Sequence, residues 1–534
     1  MMTRLKKQLC EWLGLVDWKR DLAVFFQLLL FTMLLQGQGV GISEFGGHPD
    51  EPAHVITGLM VRDYVATALG KHPMAFAEDY YDHYPKVALG NWPPMFYVMQ
   101  AAWTLPLGAD RATLEAFMAL LSAALAWLIY RALRNEFGRG LAFGAAVLFL
   151  LLPLVQEHTA SIMTEIPITL FVMLATLAYG RFLDHERPMD AILFGLFAAL
   201  GILTKGSALS LALAVPLAVV FTRRFHLLTR RAFWLPVPIV LVLAGPWTFK
   251  FREQAKAGWE FPQPCWEFTS KALSYYPAKL VLSVGATLFV LAMFGLLTKT
   301  SAMNRREPGS GKWVMAAAVL FSVVLAHFVI PCGYEPRHLI PALPALVMFI
   351  VAGAEALVQA VMPRMTAGKA RTLVYGLALA AFFAGTFKIY QKGTFGLSPA
   401  AAMASEKAGE QRKLLISSDA TGEGIFIAEV AMNEKRPGST VRRASKMLAS
   451  SSWSGAGYQA KFERDEDLIA ALEKDGIQVV VTDDSMPPSK RVKHHDQLIR
   501  ALDGAPGKFE LRGKFSMERG GVRHEDAIRV YRRK

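Results

Sequence analysis

Up to about residue 391 the chain alternates long apolar runs with short basic connections, and beyond that point the pattern changes character. The apolar runs fall near 22–40, 112–131, 140–156, 164–182, 189–205, 206–222, 232–250, 279–298, 313–331, 339–361 and 373–391. A bilayer core of about 30 Å takes about 20 apolar residues in helical form, so this spacing predicts eleven membrane helices. Alternate connections are basic: Arg131, Arg134 and Arg139; Arg181 and Arg187; Arg223, Arg224, Arg230 and Arg231; Lys299, Arg305, Arg306 and Lys312; Arg364, Lys369 and Arg371. Basic loops stay inside. The N-terminal stretch 1–21, with Arg4, Lys6, Lys7, Lys19 and Arg20, is therefore expected to be cytoplasmic and to precede a retained helix. The loops 41–111, 157–163, 251–278 and 332–338 are expected outside, together with everything after 391.

The loop 41–111 carries Tyr80, Tyr81, Tyr84, Trp92, Phe96, Tyr97 and Trp103, and its stretch 95–107 is apolar but too short to cross. It reads as a helix lying at the membrane surface. From 392 to 534 short apolar runs of strand type at 414–418 and 477–482, and further probable strand patterns at 508–516 and 526–532, alternate with helical patterns at 422–432, 464–475 and 490–503. That alternation predicts a small α/β domain. Gly422-Glu423-Gly424 lacks the third glycine and the strand context of a dinucleotide fingerprint, and no cofactor is assigned to it. The organisation expected is thus 1–21 cytoplasmic, 22–391 transmembrane and 392–534 an extracytoplasmic α/β domain.

Composition agrees with the pattern. Of 534 residues, 53% are hydrophobic and only 19% charged, too apolar for an ordinary soluble protein. The net charge of +14 follows from the basic loops and the tail. It brings no nucleic-acid motif with it, and anionic lipid is the expected counterpart. Three cysteines exclude a disulfide scaffold and match no zinc spacing. Cys265 and Cys332 fall in two outer loops, where an oxidising compartment would permit them to pair.

Ionisable residues at membrane depth are costly and usually have a partner or a task. Four groups of them sit at the expected outer ends of spans: Asp50 and Glu51 in Gly46-Gly47-His48-Pro49-Asp50-Glu51-Pro52-Ala53-His54, Glu165 in Met163-Thr164-Glu165-Ile166-Pro167, Lys205 in Leu203-Thr204-Lys205-Gly206, and Arg337 in Tyr334-Glu335-Pro336-Arg337-His338. Prolines after His48 and Glu51 disfavour helical torsions. The acidic pair is therefore expected in an extended run whose side chains point opposite ways, with Asp50 facing the cavity. Three carboxylates and two cations on one face suit sugar transfer from a lipid phosphate. One carboxylate takes a proton from an acceptor hydroxyl, and the cations neutralise the departing phosphate. Blander readings stand beside this one. Glu165 could serve only a helix N-terminus, Lys205 and Arg337 could snorkel to the interface, Asp50 and Glu51 could be a solvated pair, and His48 and His54 could be plain loop histidines.

These residues, with Trp92-Pro93-Pro94-Met95-Phe96-Tyr97 and Pro336-Arg337-His338-Leu339-Ile340-Pro341-Ala342-Leu343-Pro344, resemble the GT-C integral-membrane glycosyltransferases. Within them the chain looks like the branch of bacterial aminoarabinose transferases and protein O-mannosyltransferases. The resemblance covers about residues 20–350. It implies an inverting transferase that takes a sugar from a polyprenyl phosphate and passes it to a hydroxyl acceptor (envelope lipid, polysaccharide or protein) at the outer face of the inner membrane. The family's catalytic aspartate maps to Asp50, and its second acidic position to Glu165, where Asp is commoner. Glu51 completes the expected catalytic set. The lysine before the proline pair and the arginine after the acidic pair are replaced here by Trp92 and by Ala53 or His54. Donor phosphate is then expected on Lys205, Arg337 and Arg62, with His54, Trp92, Tyr97 and His338 lining a substrate groove. Members differ in their need for magnesium or manganese, so a divalent metal stays open, and membrane lipids but no nucleic acid are expected partners. The rival reading, a transporter or lipid flippase, predicts ionisable or broken-helix sites near mid-span and often an internal repeat. In a third, a sensor or assembly protein, the tail binds peptidoglycan or polysaccharide, which leaves the acids of the first loop unexplained; in a transferase the tail, expected outside, could bind the acceptor.

Overall fold

The structure is a computed structural model that describes residues 18–534 apart from 38–40, 305–306, 308, 363–364, 394, 410–411, 451–456 and 520. Arg4, Lys6 and Lys7 of the expected cytoplasmic stretch, and Arg305, Arg306 and Arg364, lie outside the described residues. Among the described residues four helical stretches are long and apolar enough to cross a membrane: Arg111–Phe137, Glu165–His185, Gly311–Val329 and Pro336–Val361. Two bent pairs, Arg139–Leu151 with Pro153–Ala160 and Trp266–Val284 with Ala286–Thr300, raise the number to six if each counts as one span.

The count of eleven spans is not confirmed, and proline and glycine explain much of the difference. The apolar run 140–156 bends by 66° where Pro153 begins the second helix, because proline cannot donate to the turn before it. The run 279–298 is broken by 103° at Gly285, whose φ of +85° lies outside helical space. The run 232–250 is split into Arg231–Trp234, Pro236–Leu243 and Gly245–Lys250, each later piece carrying a proline in its first turn. The runs near 189–205 and 206–222 form the shorter apolar helices Pro188–Ile202 and Gly206–Thr222. Helices also cover Trp18–Gln36 and Ala367–Gly385, at two other expected spans.

Close helix contact is made with small residues. A Cβ on Gly353 would stand 1.9 Å from the Leu291 carbonyl oxygen, and one on Gly295 would stand 2.0 Å from that of Phe349. The two backbones therefore meet directly, as small residues allow between apolar helices.

The loop 41–111 is more ordered than its polarity suggested. It holds the helices Glu51–Thr67 and Pro73–His83 besides the expected one at Met95–Leu107.

The tail folds as expected in type. Its sheet comprises β1 (Lys413–Ser417), β2 (Thr440–Arg443), β3 (Val479–Asp483), β4 (Phe509–Arg519) and β5 (Val522–Arg533), in the order β2-β1-β3-β5-β4. β1 runs parallel to β2 and β3, while β5 runs antiparallel to β3 and β4. Alternation sends Leu415, Val480 and Tyr531 to one face, under the helices Asp465–Asp475 and Lys493–Gly504. Leu414, Ile416, Val479, Val481, Ile528 and Val530 face the other way and join the core of the membrane helices through Leu397–Lys407 and Ala420–Asn433. One continuous apolar core thus spans both parts. Charges cross the same junction: Arg436 Nε lies 2.7 Å from Asp63, Lys392 Nζ lies 2.6 Å from Glu51, and Arg111 pairs with Glu429.

Candidate active site

Asp50 does not lie in an extended run. It is the N-cap of the helix Glu51–Thr67, with helical torsions (φ −85°, ψ −19°), and makes no capping bond with its side chain. Proline is tolerated in a first helical turn, where its missing N–H would have no partner anyway, and this outweighs the local preference of Glu51. The conclusion that the two carboxylates diverge still holds, for a different reason.

Glu51 is fully buried. It accepts from the backbone N–H groups of Gly47 and Ile162 at 2.9 Å each and pairs with Lys392 at 2.6 Å. It anchors the loop and the start of the tail. Asp50 faces the other way: both Arg337 terminal nitrogens donate to its Oδ2 at 3.2 Å.

Arg337 is the hub. It sits in the 3-10 turn Pro336–Ala342, and its Nε lies 3.6 Å from Glu165 Oε1 and beside Glu335. Glu165, the first residue of its helix and only 1% exposed, accepts a 2.6 Å hydrogen bond from Lys205 Nζ. Lys205 reaches it from an extended N-cap position before Gly206–Ser210. Four segments far apart in sequence thus bring Asp50, Glu165, Arg337 and Lys205 together. The third carboxylate of the cluster is Glu335, not Glu51. His48 closes the ring, 3.4 Å from Asp50 and 3.6 Å from Glu335. Burial alone would raise Glu335, but the His48 hydrogen bond and the Arg337 charge hold it below its ordinary value.

Beside this cluster lies an aromatic wall. His54, one turn past Asp50, is 1% exposed, packs 4.5 Å from Trp92 by ring centroid and bonds Tyr97 Oη at 3.0 Å. Burial lowers its pKa to about 4, so it is neutral near pH 7. His54, Trp92 and Tyr97 thus pack against one another beside Asp50, with His54 and Tyr97 fully buried.

Two expected residues stand elsewhere. Arg62 donates to Asp63 and to the Thr104 carbonyl. It lies three turns beyond Asp50, about 18 Å along the helix. His338 points into a separate buried cluster with Tyr276 and His327. Cys265 and Cys332, which an oxidising compartment would permit to pair, do not: both are free, Cys265 caps the helix Trp266–Val284, and Cys332 Sγ lies 3.6 Å from His338 Nδ1.

One cation was missed. Lys86 comes from the loop before the proline pair, and its stem lies against Gly424 of the tail, with Cε 3.1 Å from where a Cβ would stand. It makes no ion pair among the described residues. Burial first, and then Arg443, lower its pKa to about 8, against the pull of Glu423 and Asp50. Nothing in its local sequence, Tyr84-Pro85-Lys86-Val87, distinguishes it from a solvated loop lysine.

A family model described as dolichyl-phosphate-mannose-protein mannosyltransferase matches residues 91–249, the stretch that holds Trp92, Glu165 and Lys205. The crystal structure of ArnT from Cupriavidus metallidurans in the apo state matches with a TM-score of 0.59 at 13% identity, covering 95% of this chain and 97% of that one. The same protein bound to undecaprenyl phosphate matches at 0.54 with 13% identity and the same coverage. The chain resembles the GT-C glycosyltransferases. The oligosaccharyltransferase of Archaeoglobus fulgidus, tethered to an acceptor peptide containing the NVT sequon, matches with a TM-score of 0.56 at 13% identity, covering 93% of this chain and 74% of that one. No curated protein sequence matches. The likeness to ArnT covers the tail as well as the membrane helices.

Proposed function

We propose that this chain is an inverting glycosyltransferase of the inner membrane that moves a sugar from a polyprenyl phosphate to a hydroxyl acceptor, with the site and the tail on the periplasmic side. The observation that carries it is the convergence of Asp50, Glu165, Arg337 and Lys205 on a fold like that of ArnT, one of whose structures holds undecaprenyl phosphate. Donor phosphate binds Arg337, Lys205 and Lys86, and in doing so draws Arg337 off Asp50. The freed carboxylate then takes the proton of the acceptor hydroxyl as its oxygen attacks the anomeric carbon. The bond from that carbon to the phosphate oxygen breaks, and polyprenyl phosphate leaves as an anion against the cations. Glu165 holds Lys205 and Arg337 in aim.

Asp50, Glu165 and Glu335 are already paired with cations of the chain. Magnesium or manganese could enter among them only by displacing Arg337 or Lys205, so added magnesium or manganese should leave the rate unchanged.

The test is release of polyprenyl phosphate by the purified protein in nanodiscs, offered a panel of polyprenyl-phosphate sugars and hydroxyl acceptors. Asp50→Asn should cost at least about a hundredfold in rate, the lower end of what a positioned base contributes. Near-normal transfer by that variant would remove Asp50 from the mechanism. If no donor binds at all, the transporter reading takes its place.

A further inference from the structure

His338 and Cys332 take no part in the ion cluster, although they flank it. With His327 they form a group whose three ligand atoms all lie within 4.8 Å of one another. We propose that His327, Cys332 and His338 form a binding site for a borderline-soft divalent metal, zinc by preference, that fixes the turn carrying Arg337.

The donor set comes first. Two imidazoles and a thiol suit zinc, whereas magnesium, calcium and manganese prefer oxygen. The spacing is next. Zinc bound tetrahedrally at about 2.3 Å from sulfur and about 2.0 Å from nitrogen holds those two atoms about 3.6 Å apart. Cys332 Sγ and His338 Nδ1 already stand 3.6 Å apart.

The surrounding hydrogen bonds orient the ligands. His327 Nδ1 lies 2.7 Å from the Val323 carbonyl, which only accepts, so Nδ1 carries the proton and Nε2 is left with its lone pair. A backbone carbonyl on the far nitrogen is the usual outer partner of a metal-bound histidine. The Tyr276 hydroxyl donates to the Gly333 carbonyl at 2.7 Å and so does not need the His338 Nδ1 lone pair, 3.0 Å away. The two imidazole rings are nearly parallel, 5.0 Å apart. His327 and His338 are 3% and 7% exposed, which keeps competing water away, and Cys332 is partly buried.

Binding replaces the thiol proton: the S–H bond breaks, a zinc–sulfur bond forms, and the proton goes to solvent. The consequence for the site is mechanical. His327 lies near the end of the helix Gly311–Val329, Cys332 lies in the connecting segment, and His338 lies in the turn Pro336–Ala342 beside Arg337. One ion would therefore cross-link the three segments that aim Arg337 at Asp50 and Glu165.

The experiment does not depend on activity, so it fails or succeeds separately from the reading above. Full-length protein in detergent is stripped with a chelator and titrated with zinc alone, then with cobalt alone. The expected result is one metal per chain, release of a proton on binding, and thiolate-to-cobalt charge-transfer bands that are absent in Cys332→Ser. His327→Gln should weaken zinc binding by more than about a hundredfold, beyond the 10–100-fold typical of losing an outer partner. A second readout needs no variant. Zinc should protect Cys332, but not Cys265, from alkylation in the wild-type chain, followed by peptide mass spectrometry. Absence of stoichiometric zinc, or protection of neither cysteine, overturns the proposal. So does zinc bound as tightly by Cys332→Ser and His327→Gln as by the wild type, which would place the metal on the acidic cluster.

Discussion

At the scale of single residues, the site depends on what each charge is paired with. Lys86 illustrates this, because it is half-buried without an ion-pair partner among the described residues and its pKa falls to about 8. If that charge helps hold donor phosphate, the KM for the donor should rise as pH passes 8 and the cation is lost. Lys86→Met should raise KM at pH 7 and remove that limb of the profile, which a pH series of initial rates would show. His54 gives a second prediction of opposite character. Its folded pKa is about 4, against an ordinary 6.5, so the folded chain binds fewer protons than the unfolded one between those values. Stability is then lost as pH falls from 6.5 towards 4, by up to about 3 kcal/mol. His54→Phe should flatten that part of the thermal-stability curve while leaving the Tyr97 hydroxyl without its partner. Asp50, Glu165, Lys205 and Arg337 were legible in the sequence because charges at span ends have few structural excuses. Lys86 was not, because its burial comes from the tail packing over the loop.

At the scale of elements, the sequence spoke most clearly where a single segment determines its own structure. The strands β1, β3, β4 and β5 and the three later tail helices lie within a few residues of the expected places, since their apolar periods need no distant partner to be recognised. β2 was missed because Thr440-Val441-Arg442-Arg443 is short and mostly polar, and only its pairing with β1 makes it a strand. The helix Glu51–Thr67 was missed for a related reason: prolines argued locally for extended chain, and packing against Met95–Leu107 and Ala420–Asn433 decided otherwise. Helix contacts offer a direct test. Gly353→Val would drive a side chain into the Leu291 carbonyl, so the helices must separate. The variant should lose several degrees of thermal stability in detergent, whereas the same change at Gly376, which has open space around it, should not.

At the scale of the whole molecule, the tail and the membrane helices share one apolar core and are tied by ion pairs across the junction. Lys392 is the sole cation hydrogen-bonded to the fully buried Glu51 among the described residues, with Glu115 3.9 Å away. Removing one member of a buried pair typically costs about 3–5 kcal/mol, because the remaining charge is stranded. Lys392→Ala should therefore lower stability by that order in an unfolding titration, and Lys392→Arg by much less. Deleting 392–534 would strand Glu51 and uncover the shared apolar core, so loss of folding is the expected outcome.

The sequence by itself determined that apolar helices precede an α/β tail and which residues carry charge at span ends. Those follow from composition and period, which are properties of neighbouring residues. The tertiary structure alone decided that Glu335 replaces Glu51 in the cluster, that Arg62 stands apart from it, and that His338 turns from it towards His327 and Cys332. The first of these depends on where segments far apart in sequence come to rest. A side chain's partner is set by that packing, and no local pattern encodes it.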